Sequence, residues 1–419
     1  MASLDMTSMD PVLKQLYRYS KIVEMCYDDH PFLATVPKFE NFAGRNMPIP
    51  IRYGRPQGRS ATFSTAQSNA IESNFEDFLM TMSKNYGVAT IDGMTADLSE
   101  SSRGAFISAM TSEIDGILME VARDLSRNLF RDQSGSIGRV GTYSSGASFT
   151  LKETNDVVLW EVGMEIVAGS TATGTLRDSG QAIGVSAVNR STGAITGDEN
   201  WSEIASFAAD DYLFVEGDAP NNSSLVSAGG SAGKLAGLQD WLLTTSSATT
   251  FFGVNRSVDS RLWGVYHDGS SDSREDALIN AQSKAAVEGG RVDVVFINNA
   301  DYRGLVTDLG SKVSYEQVSA QTGQGKVGNI GFDALVLHGD KGKIKVVPDP
   351  DCPKGTAFGL TMNTWTLLSA GQCPKILMRD GLRIQRQASS DGYEVRVGYY
   401  SNLACDAPGR NVRITMPSS

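Results

Sequence analysis

Residues 99–131 read SESSRGAFISAMTSEIDGILMEVARDLSRNLFR. Ile107, Met110, Ile114, Ile117, Val121 and Leu125 recur every three or four positions, which lays one apolar stripe along a helix. Ser99 is the expected N-cap. Glu100 stands near the start, and Arg123, Arg127 and Arg131 stand near the end, the order a helix dipole favours. About 33 residues at ~1.5 Å each give a rod of roughly 50 Å. Such a rod is long for a globular enzyme and suits a structural spine.

The segment before this helix, 45–91, predicts a long two-stranded loop. Met47, Ile49, Ile51 and Tyr53 alternate with Pro48, Pro50 and Arg52, a period of two. Two prolines without N–H donors place that strand at an edge or free of a sheet. Pro56-Gln57-Gly58 breaks it, the polar stretch Arg59–Asn74 follows, and the chain returns through Phe78, Met80 and Met82 to 86–91. A polar tip between two strands with little core of its own predicts an arm built to lie on a neighbour. Arg45, Arg52, Arg55 and Arg59 concentrate positive charge on it, in a chain of net charge −11. Three readings stand for these arginines: a solvated arm, electrostatic docking onto an acidic neighbouring copy, or, least favoured, nucleic-acid contact.

Residues 1–44 form an N-terminal arm, with a short helix expected over Asp10–Met25 and an extended path set by Pro31 and Pro37. Residues 92–149 form a peripheral domain that contains the spine at 99–131. Segment 150–218 is β-prone at Val157–Val167, Ala182–Val188, Ala194–Thr196 and Tyr212–Val215, which predicts a small inserted β-barrel. Residues 219–272 begin as a Gly/Ser-rich linker and lead back to the peripheral domain. Segment 273–370 reads as an α/β lobe, with helices at Arg274–Glu288 and Asn299–Leu309 and strands between them. Residues 371–419 return to strands, with Tyr393, Val395, Val397 and Tyr399 alternating.

The chain's 419 residues allow two or three domains. Hydrophobic residues make up 41%, enough for a true core. The acidic balance disfavours a non-specific nucleic-acid binder. No apolar run spans a membrane, and the first residues lack the apolar region of a secretory signal. Four cysteines include no C-x-x-C pair and predict buried thiols. The three histidines, His30, His267 and His338, are far apart and disfavour a histidine-rich metal site.

Motifs with chemical meaning are weak. Gly323-Gln324-Gly325-Lys326-Val327-Gly328 matches G-x-G-x-x-G but lacks the strand before it and the helix after it, and reads as a flexible loop. Cys26-Tyr27-Asp28-Asp29-His30 reads as a polar turn rather than a metal site, and Asp349-Pro350-Asp351 as a loop without the oxygen set of a calcium site. There is no G-x-S-x-G elbow and no Walker A loop. No catalytic residue, metal ligand or cofactor is expected.

In order, the parts are arm, two-stranded loop, spine helix, β-rich segment, α/β lobe and closing strands. This order resembles the major capsid protein of tailed bacteriophages, with the Hong Kong 97-type shell fold. Val294–Arg303 looks like the family's strand leading through a turn into a helix. Phe332–Leu337, Pro348–Gly355 and Thr356–Leu360 look like its axial strand–loop–strand, and Tyr393–Leu403 like its closing strand. The resemblance implies an α+β fold with N-arm, extended β-loop, spine helix, peripheral and axial domains, and an inserted barrel. It implies a structural protein, not an enzyme, forming pentamers and hexamers of an icosahedral head around double-stranded DNA that it encloses without gripping specifically. It implies assembly in the bacterial cytoplasm, with a portal, a decoration protein and no membrane as partners. Residues 41–80 hold no lysine, so the covalent lysine–asparagine crosslink of some relatives is not expected. The arm of about 40 residues is shorter than the scaffolding region some relatives carry, so a separate scaffolding protein is expected. An encapsulin-like compartment shell shares the fold and stands as the alternative. A small-molecule enzyme using the 273–370 lobe and a β-rich tail or decoration protein are readings from other classes.

Overall fold

A computed structural model describes residues 30–92, 103–173, 175–220, 234–247, 250–310, 315–322, 326–378, 381–387 and 391–417. The expected helix at 10–25, Cys26, the Ser99 cap, most of the Gly/Ser-rich linker and Gly323–Gly325 lie outside these residues. The fold is α+β, and the spine helix packs on the peripheral sheet, with two further large sheets meeting at its C-terminal end.

The spine runs Arg103–Phe130. Ile114, Leu118, Val121, Leu125 and Leu129 are buried in the main core, while Ile117 is half-buried and Met119 exposed. The one-sided stripe ends before the helix does. From Leu125 to Phe130 every residue is buried, Ser126, Arg127 and Asn128 included, because other elements surround this end. Gly87 allows the strand Ser83–Asp92 to approach the helix closely: a Cβ there would stand 2.8 Å from the Ile117 and Val121 side chains.

The peripheral sheet is built on the long strand Gly392–Cys405. Ser83–Asp92, expected within the loop at 45–91, pairs with it antiparallel from Gly392↔Asp92 to Ser401↔Ser83. Trp365–Ser369, expected in the α/β lobe, pairs on its other side. Lys38–Phe39 then adds in parallel to Trp365–Ser369. Just before it, Pro31 opens a helix at Pro31–Thr35 instead of holding the chain extended, a first-turn position its missing N–H favours. Phe32 and Leu33 are fully buried there.

The axial sheet has seven strands in the order Val265–Asp268, Val412–Thr415, Thr356–Leu360, Val294–Ile297, Gly342–Pro348, Lys326–Gly339 and Tyr315–Thr322. Its first two strands come from 219–272 and 371–419, segments expected in the peripheral domain. Helix Arg274–Val287 is capped by the Ser273 side chain and stopped at Gly289 (φ +81°). Helix Asn299–Leu309 is capped by Asn298 and stopped at Gly310. Thr322 pairs with Lys326 in an antiparallel hairpin, which is not the strand-to-helix turn of a dinucleotide fold.

The third sheet has six strands in the order Ser136–Arg139, Tyr212–Val215, Glu165–Gly169, Ala182–Asn189, Ala194–Gly197 and Ser148–Thr150. A Val140↔Leu151 bridge joins its two end strands and closes it around a core of Phe149, Trp160, Trp201 and Leu213. It draws in Ser136–Thr150, ahead of the expected start at 150. Val157 and Leu159, expected in a strand, lie on a 3₁₀ turn over Thr154–Leu159, and their side chains plug the barrel.

Candidate assembly surfaces

Met47–Arg52 and Phe75–Met80 form an isolated antiparallel pair, from Met47↔Met80 to Arg52↔Phe75. Pro48 and Pro50 therefore leave no ladder partner unsatisfied on a further strand. Alternation gives this hairpin an inner and an outer face. Ile49, Ile51, Phe78 and Met80 point inward and are buried in the main core, so the base is anchored rather than coreless as expected. Phe78 packs at 5.1 Å from the Trp241 ring and 6.2 Å from Phe251, and the Leu79 N–H donates to the Phe252 carbonyl at 2.9 Å. The turn Phe252-Gly253, with both residues at positive φ, presents that carbonyl.

Beyond the base, the hairpin stands free. Arg45, Arg52, Arg55 and Arg59 are all exposed, and none makes an ion pair among the described residues. The structure thus places all four on one projection, Arg45 at the base and the others toward the tip. The polar stretch Arg59–Asn74 contains a short exposed helix, Phe63–Ser68. Phe63 is 84% exposed, Ile71 62% and Phe75 61%. These three were missed from sequence, and their signal was apolar residues in a polar stretch with no periodic partner. An exposed apolar tip on an anchored stem is a composition that protein interfaces share.

The barrel carries the opposite sign. Between 136 and 218 stand twelve acidic and four basic residues, a net −8 in a chain of −11. All four bases are paired within it: Arg139 and Lys152 with Asp210, Arg177 with Asp211, Arg190 with Glu161. Glu165, Asp198, Glu199, Glu203 and Glu216 remain exposed without a basic partner among the described residues.

Buried ionic contacts join the parts behind these surfaces. Asp351 accepts from Ser126 of the spine and lies 2.7 Å from the His30 Nδ1. Asp349 accepts from the backbone N–H groups of Phe32 and Asp351, and burial beside the Asp351 charge raises its carboxyl to about 7. The Asp349-Pro350-Asp351 turn is thus a clamp on the first helix. Lys234 reaches Asp218 at 2.8 Å and Asp124 at 3.4 Å; burial pulls its ammonium down, and the two carboxylates outweigh that and leave it raised. Burial pushes the Cys352 and Cys405 thiols up, which leaves them unreactive packing groups. Among the described residues, no three His, Cys, Asp or Glu side chains gather as a metal-binding set, and no helix is long and apolar enough to cross a membrane.

The SU10 major capsid protein family model matches residues 212–379, from the barrel's Tyr212–Val215 strand through the axial lobe. No curated protein matches the chain. Among solved structures, the capsid of cyanophage A-1(L) is similar at 10% identity over 93% of both chains, with a TM-score of 0.53. The capsid of an empty GTA particle is similar at 7% identity, over 93% of this chain and 90% of that one, with a TM-score of 0.45. A Mycobacterium phage Ogopogo structure follows at 8% identity, 92% and 90% coverage and a TM-score of 0.42. The fold assignment rests on the cyanophage capsid, and it is the Hong Kong 97-type shell fold. The match to the SU10 major capsid protein family, over residues 212–379, lies inside that shell fold, so the middle of the chain is similar to a phage capsid protein and the whole carries the capsid fold.

Proposed function

We propose that the chain forms the pentamers and hexamers of an icosahedral head and that its hairpin laps an adjacent copy. The observation that carries this reading is the hairpin itself: a core-anchored stem with an apolar tip and four arginines that make no ion pair among the described residues. Apolar contact at Phe63, Ile71 and Phe75 supplies area, while the arginines supply sign. The acidic barrel is the surface of a second copy that this sign fits best. One such contact is weak, and symmetry repeats it over the shell. The head encloses double-stranded DNA without gripping it, consistent with a net −11 that disfavours a phosphate-binding wall. A portal, a separate scaffolding protein and a decoration protein are the further partners, and assembly takes place in the host cytoplasm.

The test replaces Arg45, Arg52, Arg55 and Arg59 together by Ala. Exposed ion pairs contribute about 0.2–1 kcal/mol each, so four remove roughly 1–4 kcal/mol per contact. Electron microscopy and light scattering should show shells or capsomers from the parent chain, supplied with scaffold where needed, and small species from the variant at unchanged subunit stability. Parent assembly should weaken with added salt. Equal shell yield from both chains would refute the docking role. A parent that stays monomeric with scaffold supplied would refute the shell assignment.

A further inference from the structure

At the C-terminal end of the spine helix, the barrel and the axial lobe face each other across a cleft of about 120 Å³. The helix contributes Arg127 and Arg131, the barrel Glu153 and Asp156, and the axial lobe Asp351 and Lys354. Arg127 is only 4% exposed. Its Nη1 and Nη2 are both buried and meet no hydrogen-bond acceptor among the described residues. The nearest carboxylate oxygen, Oδ1 of Asp156, stands 3.7 Å from Nη2, beyond hydrogen-bond distance. That oxygen already accepts from Nη2 of Arg131 at 2.6 Å, and the Arg131 Nε is itself buried without a partner. Burial and the adjacent Arg131 charge pull the Arg127 guanidinium down to about 10, against the opposing pull of the Asp156, Asp124 and Asp351 carboxylates.

Carboxylates surround this pair without meeting all of its donors. Asp156 is the nearest, and Asp351 and Asp124 attract Arg127 from farther away. Asp351 Oδ2 is already taken by Ser126 and His30. Glu153 and Lys354 are exposed at the rim. No carboxylate oxygen lies within hydrogen-bond distance of Arg127, and three of the pair's N–H-bearing nitrogens lack acceptors among the described residues. Buried charges and donors of this kind are costly until an acceptor meets them. A guanidinium fork is matched by an oxyanion, which takes two parallel N–H bonds. The cleft has room for several waters, and so for one phosphate- or carboxylate-sized group.

We propose that this cleft is an oxyanion site, in which Arg127 and Arg131 bind one phosphate or carboxylate group, Lys354 guards the mouth, and the bound anion ties the barrel to the axial lobe. The group comes either from free phosphate or from a carboxylate borne by another chain.

The full-length chain is titrated with inorganic phosphate by calorimetry, and its thermal midpoint is followed in phosphate and in chloride at matched pH and ionic strength. A second arm uses acetate and a short acidic peptide as competitors. The expected result is one saturable phosphate site per chain and a raised midpoint. At a phosphate concentration 100 times Kd, the folded-to-unfolded ratio rises about 100-fold. Arg127→Met abolishes binding. Should that variant fail to fold, Lys354→Gln at the exposed rim weakens binding several-fold with the fold intact, whereas Arg396→Gln on the peripheral sheet leaves it unchanged. Tighter binding of the acidic peptide than of phosphate assigns the site to a protein carboxylate, and the reverse assigns it to the free ion. Absence of saturable binding by any probe overturns the proposal, as does binding equal in the parent and both cleft variants, since water alone then satisfies the arginines.

Discussion

Replacing Phe78 by Ala tests whether the hairpin is a braced lever or a loose strap. Phe78 sits at the hairpin base opposite Ile49, fully buried, with its ring between Trp241 and Phe251. Truncating a buried phenylalanine costs about 3–5 kcal/mol, made of lost transfer free energy and the cavity left behind. The neighbouring rings are held by their own contacts: the Trp241 Nε1 donates to the Leu403 carbonyl, and Phe251 carries the Arg256 guanidinium on its face. They will not collapse into the gap, so the upper part of that range applies. At ~1.4 kcal/mol per tenfold change, the local opening equilibrium rises by about three to four powers of ten. Hydrogen exchange read by mass spectrometry on peptides covering 47–52 and 75–80 should show that loss of protection, with the axial strand 294–297 little changed. Shell yield should fall with it, because a hairpin that opens no longer points its tip at a neighbour. Phe63→Ala, at an exposed tip residue, should leave protection unchanged. A change under about threefold in Phe78→Ala, with the fold retained, would refute the bracing, since the base would then contribute less than ~1 kcal/mol.

Two further outcomes follow from buried backbone and buried charge. In Gly237→Ala the new Cβ would lie 2.3 Å from the carbonyl oxygens of Asn128 and Arg131 at the end of the spine, and backbone cannot yield there; a loss of at least ~1–3 kcal/mol is expected, read as a lower urea midpoint. Asp240 accepts from the Gln133 N–H at 2.7 Å, and burial, aided by the nearby Asp132 charge, raises its carboxyl to about 8. The folded chain then keeps a proton that the unfolded chain releases near pH ~4. Its contribution is present below that pH and is lost as pH rises toward 8, by up to ~1.4 kcal/mol per unit. Asp240→Asn keeps an acceptor for Gln133, so urea midpoints from pH 5 to 8 should decline less in the variant, and parallel curves would refute the assignment.

Local patterns and distant contacts divided the determination of this molecule. The apolar stripe of the spine, the alternation from Met47 to Tyr53 and from Tyr393 to Tyr399, and the stops at Gly289 and Gly310 are properties of neighbouring residues, and each was legible in the sequence. So were the arginines on the projection, because charge and strand period are counted along the chain. The order of these parts carried the shell fold. Which sheet a strand joins was not legible: Val412–Thr415 would suit either sheet, and it enters the axial one between Val265–Asp268 and Thr356–Leu360. Pro31 read as an extending residue, yet it opens a helix because Phe32 and Leu33 find the main core. The anchoring of the hairpin depended on Trp241 and Phe251, more than 150 positions away. The Arg127–Asp156–Arg131 group and the His30–Asp351 contact, 321 residues apart, had no sequence signature at all. A residue's own preferences set its local conformation. The burial of a charge and the partner of a strand are set by whatever the rest of the chain brings against them, and only the tertiary structure decides that.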